Sequence, residues 1–266
     1  MPSLSLHFGL PRLKGRLGEY KKAFDFVEVL CDPAPPTLKH LGRLRREAPE
    51  GFHFGLVAGR ALSELGSTTP DAALIEATRR AAQALEARWL LLRTPASAGP
   101  SARTRTKLAR LVEALGGAAS ALAWEPRGMW TDEELMAVTE ELGLTLVRDL
   151  AEQDAPPAPI VYTRLLALGR NSRLGSGAIE RVTDRLDEAK EAFIVIEGDG
   201  AVGVAKRLRA SLGQARADDD ALDDDALDEA DDDEIHETES DGTDDDADDA
   251  DSDDSDESDD SDDDEA

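Results

Sequence analysis

Beyond Arg216 the sequence contains neither lysine nor arginine, and residues 217–266 hold 31 of the 58 Asp and Glu residues. Residues 1–216 are left with 27 acidic and 30 basic residues, a formal charge of +3. A stretch such as "DGTDDDADDADSDDSDESDDSDDDEA" lacks the apolar surface to offset the entropy of ordering, and its like charges extend it. Residues 217–266 are therefore expected to be a disordered Asp/Ser-rich acidic tail, and residues 1–216 one folded domain. The single cysteine, Cys31, excludes an intramolecular disulfide. No run approaches the ~20 apolar residues of a membrane span. The N-terminus has no basic segment leading into a long apolar run, so no signal peptide is expected and the location is expected to be cytoplasmic. The four histidines, His7, His40, His53 and His236, show no ligand spacing, so no metal site is expected. Nucleophile-elbow and P-loop motifs are missing too, and no cofactor is expected.

What is present is a recurrence of short apolar runs. Eight candidate strands can be read: 4–10, 24–29, 52–58, 88–94, 120–126, 145–149, 159–165 and 192–198. Most are apolar on both faces, as in a parallel sheet covered by helices. Helical patterns separate them. Thr69-Pro70-Asp71 offers a cap, a proline at the first helical position and an early acid. Thr131 and Glu134 have capping-box spacing. Eight strands alternating with helices predict an α/β fold, a (β/α)8 TIM-like barrel, with a doubly wound open sheet as the competing arrangement. The stretch "LAEQDAPPAP" carries three prolines, which truncates the sixth βα unit.

In such a barrel, active sites lie at the C-terminal ends of the strands. That rule selects Asp32, Arg60, Arg93, Glu125 with Arg127, Asp149, Arg164, and Glu197 with Asp199. Carboxylates beside guanidiniums can act as acid, base or anion clamp, or can simply close the barrel top as an ion-pair network. Gly198, Gly200 and Gly203 spell GxGxxG, but after the last strand rather than at a first βα turn. Loops after the seventh and eighth strands often hold phosphate; here they offer Arg170, Arg173, Gly175, Gly177, Gly198 and Gly200, although tight turns would also require those glycines. Cys31 reads as a nucleophile or as an inert buried thiol. Lys39, Arg43, Arg45 and Arg46 read as a solvated helix face, so direct nucleic-acid binding is not expected.

The segments "YKKAFDFVEVL", "TLKHLGRLRREAPEGFHFGLVAGRAL", "ALAWEPRGMWTDEEL", "GLTLVRDLAEQDAPPAPIVYTRLLALG" and "FIVIEGDG" occur in an order that resembles the domain of unknown function 72 (YecE-like) family, across most of residues 1–216. The resemblance implies a TIM-like barrel. It also implies that Glu28, Glu125, Arg127, Trp130, Asp149, Tyr162 and Arg164 stand at family motif positions, while a strand-three lysine, two histidines and an asparagine pair have been replaced. The combined expectation is a barrel mouth that binds a small anionic or sugar-like ligand. Glu28 or Glu125 would serve as acid or base, Arg127 and Arg164 as anion clamps, Asp149 as an orienting carboxylate, and Trp130 and Tyr162 as ligand contacts. The lost histidines and lysine leave catalysis open. The alternative is a non-catalytic interaction protein whose acidic tail engages a basic protein partner, or serves only to solubilise.

Overall fold

The computed structural model describes residues 4–66, 71–154, 157–166, 175–198 and 200–225. The chain divides into units Met1–Asp223 and Asp224–Ala266, and the first is a closed barrel of eight strands in sequential order, every neighbouring pair parallel. The strands are β1 Ser5–Leu10, β2 Phe26–Leu30, β3 His53–Val57, β4 Trp89–Thr94, β5 Ala121–Pro126, β6 Thr145–Arg148, β7 Ile160–Leu165 and β8 Glu191–Ile196. The open-sheet alternative is excluded by the pairing of β8 with β1. Of the tail expected to be disordered over 217–266, residues 217–225 instead continue the last helix, Ala201–Asp225, and residues 226–266 lie outside the described residues.

Helices fill the other connections unequally. They are α1 Leu17–Tyr20, α2 Leu38–Glu47, α3 Arg60–Ser63, α4 Ala72–Leu85, α5 Ala102–Leu115, α6 Asp132–Leu142, α7 Ser176–Asp184 and α8 Ala201–Asp225. The first unit contributes only a four-residue turn of helix, which the sequence patterns did not indicate. Between β6 and β7 there is no helix among the described residues, as the prolines required. Two arginines of the α7 segment hold that connection instead: Arg185 donates to the Leu150 carbonyl at 2.6 Å and Arg181 to that of Ala151 at 2.7 Å. The capping box of α6 forms as expected. Asp71 is the cap of α4, its carboxylate accepting the amides of Ala73 and Leu74, while Thr69 and Pro70 lie outside the described residues. Asp71→Ala should therefore lower stability by about 1 kcal/mol in chemical denaturation.

The strands are apolar on both faces because they serve two cores. Side chains alternate with a period of two. In β4, Leu90 and Leu92 pack outward under the helices, while Trp89 and Leu91 point into the barrel. Phe26, Val57, Ala123, Val147, Tyr162, Phe193 and Val195 complete the interior. Gly55 makes room for two of them: a Cβ there would stand 3.0 Å from the Phe26 ring and 3.3 Å from the Tyr162 hydroxyl.

Candidate functional site

The same alternation builds the mouth. On β4 the inward series Trp89, Leu91 continues to Arg93; on β5 Ala121, Ala123 continues to Glu125; on β7 Ile160, Tyr162 continues to Arg164; on β2 Phe26 continues to Glu28. Each strand thus fills the barrel with apolar side chains and then places one charged group on top of them.

These groups form one network. Arg164, buried on β7, lies between two buried carboxylates. Its Nε and Nη2 donate to Glu28 Oε1 and Oε2 at 2.9 and 3.1 Å, and its Nη1 donates to Glu125 Oε2 at 2.6 Å. Tyr162 donates its hydroxyl to Glu28 Oε1 at 2.7 Å. Arg93 Nε reaches Glu125 Oε2 at 2.8 Å, and Arg127 places Nε and Nη2 each 3.2 Å from Glu125 Oε1. The two carboxylates are therefore unequally supplied with positive charge. Burial pushes the Glu28 carboxyl up, and Arg164 with the Tyr162 hydroxyl does not bring it back to the ordinary range. Burial acts the same way on Glu125, but Arg164, Arg93 and Arg127 together outweigh it and hold that carboxyl below the usual value. The two environments thus drive the carboxyls apart, Glu28 upward and Glu125 downward.

A cleft of about 600 Å3 lies over the network. Glu28, Arg93, Arg127 and Arg164 line it from the barrel, and Arg12, Lys14 and Glu197 from the loops. Leu30, Val57 and Ile196 form its apolar wall. A second hollow of about 300 Å3 shares Leu30, Val57, Arg93 and Arg127 and adds the Arg60–Asp32 pair, 3.4 Å apart. Cations outnumber acids along the main cleft. Arg164 has already committed its Nε and both terminal nitrogens, so Arg93 and Arg127, partly exposed at 28% and 48%, carry the N–H groups open to a ligand.

The remaining expected residues fall elsewhere. Asp149 faces its own loop: its oxygens accept the amides of Ala151 at 3.0 Å and Leu166 at 2.9 Å, which fixes the helix-less connection, and burial raises its carboxyl against those two bonds. Trp130 donates its indole N–H to the Ala98 carbonyl at 2.8 Å and packs edge-on against Trp124, so it joins the loops after β4 and β5 and does not line the cleft. Tyr162 is buried beneath the mouth, not in it. Arg170 and Arg173 lie outside the described residues. Gly175 caps α7 and Gly177 lies inside it; Gly198 lines the cleft, and Gly200 precedes α8. Cys31 is buried and its thiol is pushed up to about 12 by desolvation, which leaves the inert reading. Most of the basic face of α2 is exposed, but Arg45 donates to the Phe52 carbonyl at 2.9 Å and lies over the Phe54 ring.

Comparison with known proteins agrees with this architecture. No curated protein sequence matches the chain. Among solved structures, a DUF72 family protein from Enterococcus faecalis superimposes with a TM-score of 0.63 at 15% identity, covering 80% of this chain and 99% of that one. A DUF72 family protein from Thermotoga maritima gives 0.60 at 16% identity, covering 79% and 99%. A D-allulose 3-epimerase from Methylomonas sp. gives 0.50 at 16% identity over 80% and 98%, a likeness of fold alone. The family described as "Protein of unknown function DUF72" matches residues 7–226, and the chain belongs to that family.

Proposed function

We propose that the barrel mouth binds a small anionic ligand, with a phosphate or carboxylate held by Arg93 and Arg127. The observation that carries this reading is the surplus of guanidinium over carboxylate at the floor of the cleft. Arg164 is spent on Glu28 and Glu125, while the outer two arginines still offer donors to the opening. Planar guanidinium groups recognise phosphate and carboxylate by paired hydrogen bonds. Arg12 and Lys14 at the rim add long-range attraction. The apolar wall of Leu30, Val57 and Ile196 would take the carbon skeleton of a sugar-like or organic anion. If the bound molecule undergoes proton transfer, Glu28 is the group suited to carry the proton, because it is the carboxyl with the raised affinity for it.

Isothermal titration with inorganic phosphate, citrate and a hexose phosphate tests the reading. Binding should weaken as salt rises. Arg93→Ala and Arg127→Ala should each cost roughly ten- to a hundredfold in affinity, from about 1.5–3 kcal/mol per hydrogen bond to a charged group. Absence of heat with all three anions, or unchanged affinity in both variants, would remove the proposal.

The charge division of the sequence supports a second role, for the tail. Residues 217–266 carry 31 acids and no cation, a segment suited to a basic protein partner. Salt-sensitive capture of such a partner should then be lost when residues 226–266 are removed, with anion binding at the mouth retained.

A further inference from the structure

At the opposite end of the barrel, the first residues of β3 and β8 and the middle of β1 place His53, Glu191 and His7 together. One ligand atom from each lies within 4.8 Å of the other two. The histidine rings meet edge-on with centroids 4.5 Å apart, and both pack against Phe193, which closes the interior above them.

The hydrogen bonds around this trio orient its free electron pairs inward. Asp25 accepts the Phe8 amide at 2.8 Å and stands 2.9 Å from His7 Nδ1. A carboxylate only accepts, so His7 Nδ1 donates to Asp25, and in the neutral imidazole that ligates a metal Nε2 is left with the lone pair. That Nε2 stands 3.6 Å from Glu191 Oε1. The other Glu191 oxygen is taken by Arg88 Nη2 at 3.1 Å. Neither ring nitrogen of His53 has a hydrogen-bond partner among the described residues. A carboxylate on the far nitrogen of a ligating imidazole is the usual outer support of a metal-bound histidine.

We propose that His7, His53 and Glu191 bind one divalent transition-metal ion of the zinc type at the N-terminal pole of the barrel, with Asp25 orienting His7. The ligands are His7 Nε2, one ring nitrogen of His53, and Glu191 Oε1, with water in the remaining position. In a tetrahedral zinc site neighbouring donors stand roughly 3.3 Å apart, so movements on the order of 1 Å would close this one. Two carboxylates, Asp25 and Glu191, oppose the single charge of Arg88, which leaves the pocket net negative. All three ligands are only partly buried, which gives the ion an entry path. A bound ion would tie β1, β3 and β8 together where the barrel closes on itself.

The test uses the full chain, freed of metal and held in excess Mg2+. That ion occupies the oxygen sites of the acidic tail and does not compete for imidazole. Co2+ should then bind with a stoichiometry of one and give strong visible d–d bands of low-coordinate geometry. His53→Gln and Glu191→Gln should abolish the bands, and Asp25→Asn should weaken binding about 10- to 100-fold. Zn2+ should raise Tm in the parent chain and not in His53→Gln. Circular dichroism of each variant separates loss of ligand from loss of fold. Weak octahedral bands alone, or bands and a Tm rise that survive in correctly folded His53→Gln, would overturn the proposal.

Discussion

Replacing Arg164 with methionine is expected to lower the stability of the barrel by roughly 3–5 kcal/mol, a fall of about 6–20 °C in Tm for a domain of this size. The side chain is 3% exposed, and the two carboxylates it bridges are 1% and 7% exposed. Without the guanidinium, Glu28 keeps only the Tyr162 hydroxyl, and Glu125 leans on Arg93 and Arg127 alone. The size of the loss comes from leaving charge buried without a partner, not from the net worth of the ion pairs. The sign of its pH dependence follows. In the variant both carboxyls lose a cation and so bind protons more tightly than in the parent chain; Glu28, already raised in the parent, is raised further, and stability gained there as pH falls is larger in the variant. In the parent chain Glu125 is held low, so its contribution is present above the ordinary carboxyl range and is lost as pH falls below it. The gap between parent and variant should therefore narrow on acidification. Urea unfolding at neutral pH and near pH 5 measures both; a gap below about 1 kcal/mol, or one that widens in acid, would show that the network is not structural.

Phe193→Ala should cost a further roughly 3–5 kcal/mol on its own. Phe193 is fully buried at the centre of the barrel interior. Its ring packs against Phe26 at 5.3 Å, Trp89 at 5.4 Å and His7 at 4.7 Å. Two of these neighbours, Phe26 and Trp89, are rigid rings each already packed against Tyr162, so they do not collapse into the space. Phe193→Leu should recover much of the loss. Combined with Arg164→Met, the effects should not add, since Phe193 lies in register with Tyr162, which holds Glu28. Additive losses in the double variant would separate the interior packing from the mouth.

The sequence made the barrel legible because each strand is apolar on both faces, and it made the mouth legible because the charged residues follow those runs. Parity sharpens this further: Glu28, Arg93, Glu125 and Arg164 each sit two places beyond an inward apolar residue. Asp149 satisfies the same count after Val147, yet β6 ends at Arg148, and its carboxylate turns to the amides of its loop. No local pattern signals that release. Nor does any pattern say that Arg164 would be consumed internally while Arg93 and Arg127 face the opening, because that depends on which carboxylates lie across the barrel. The pairing of His7 with His53 and Glu191 is invisible for a related reason. Ligand motifs are recognised by short spacing, and these three are joined only by the closure of β8 on β1 and by the position of β3.

The connection without a helix has a mechanical consequence. β6 is four residues long and meets its neighbours only through Thr145 and Leu146 on one side and Val147 and Arg148 on the other. Among the described residues, the segment that follows it also brings no helix to shield it. Breathing of the wall should therefore begin at this stave, and the grips of Arg181 and Arg185 on Ala151 and Leu150 act as the latch that keeps it shut.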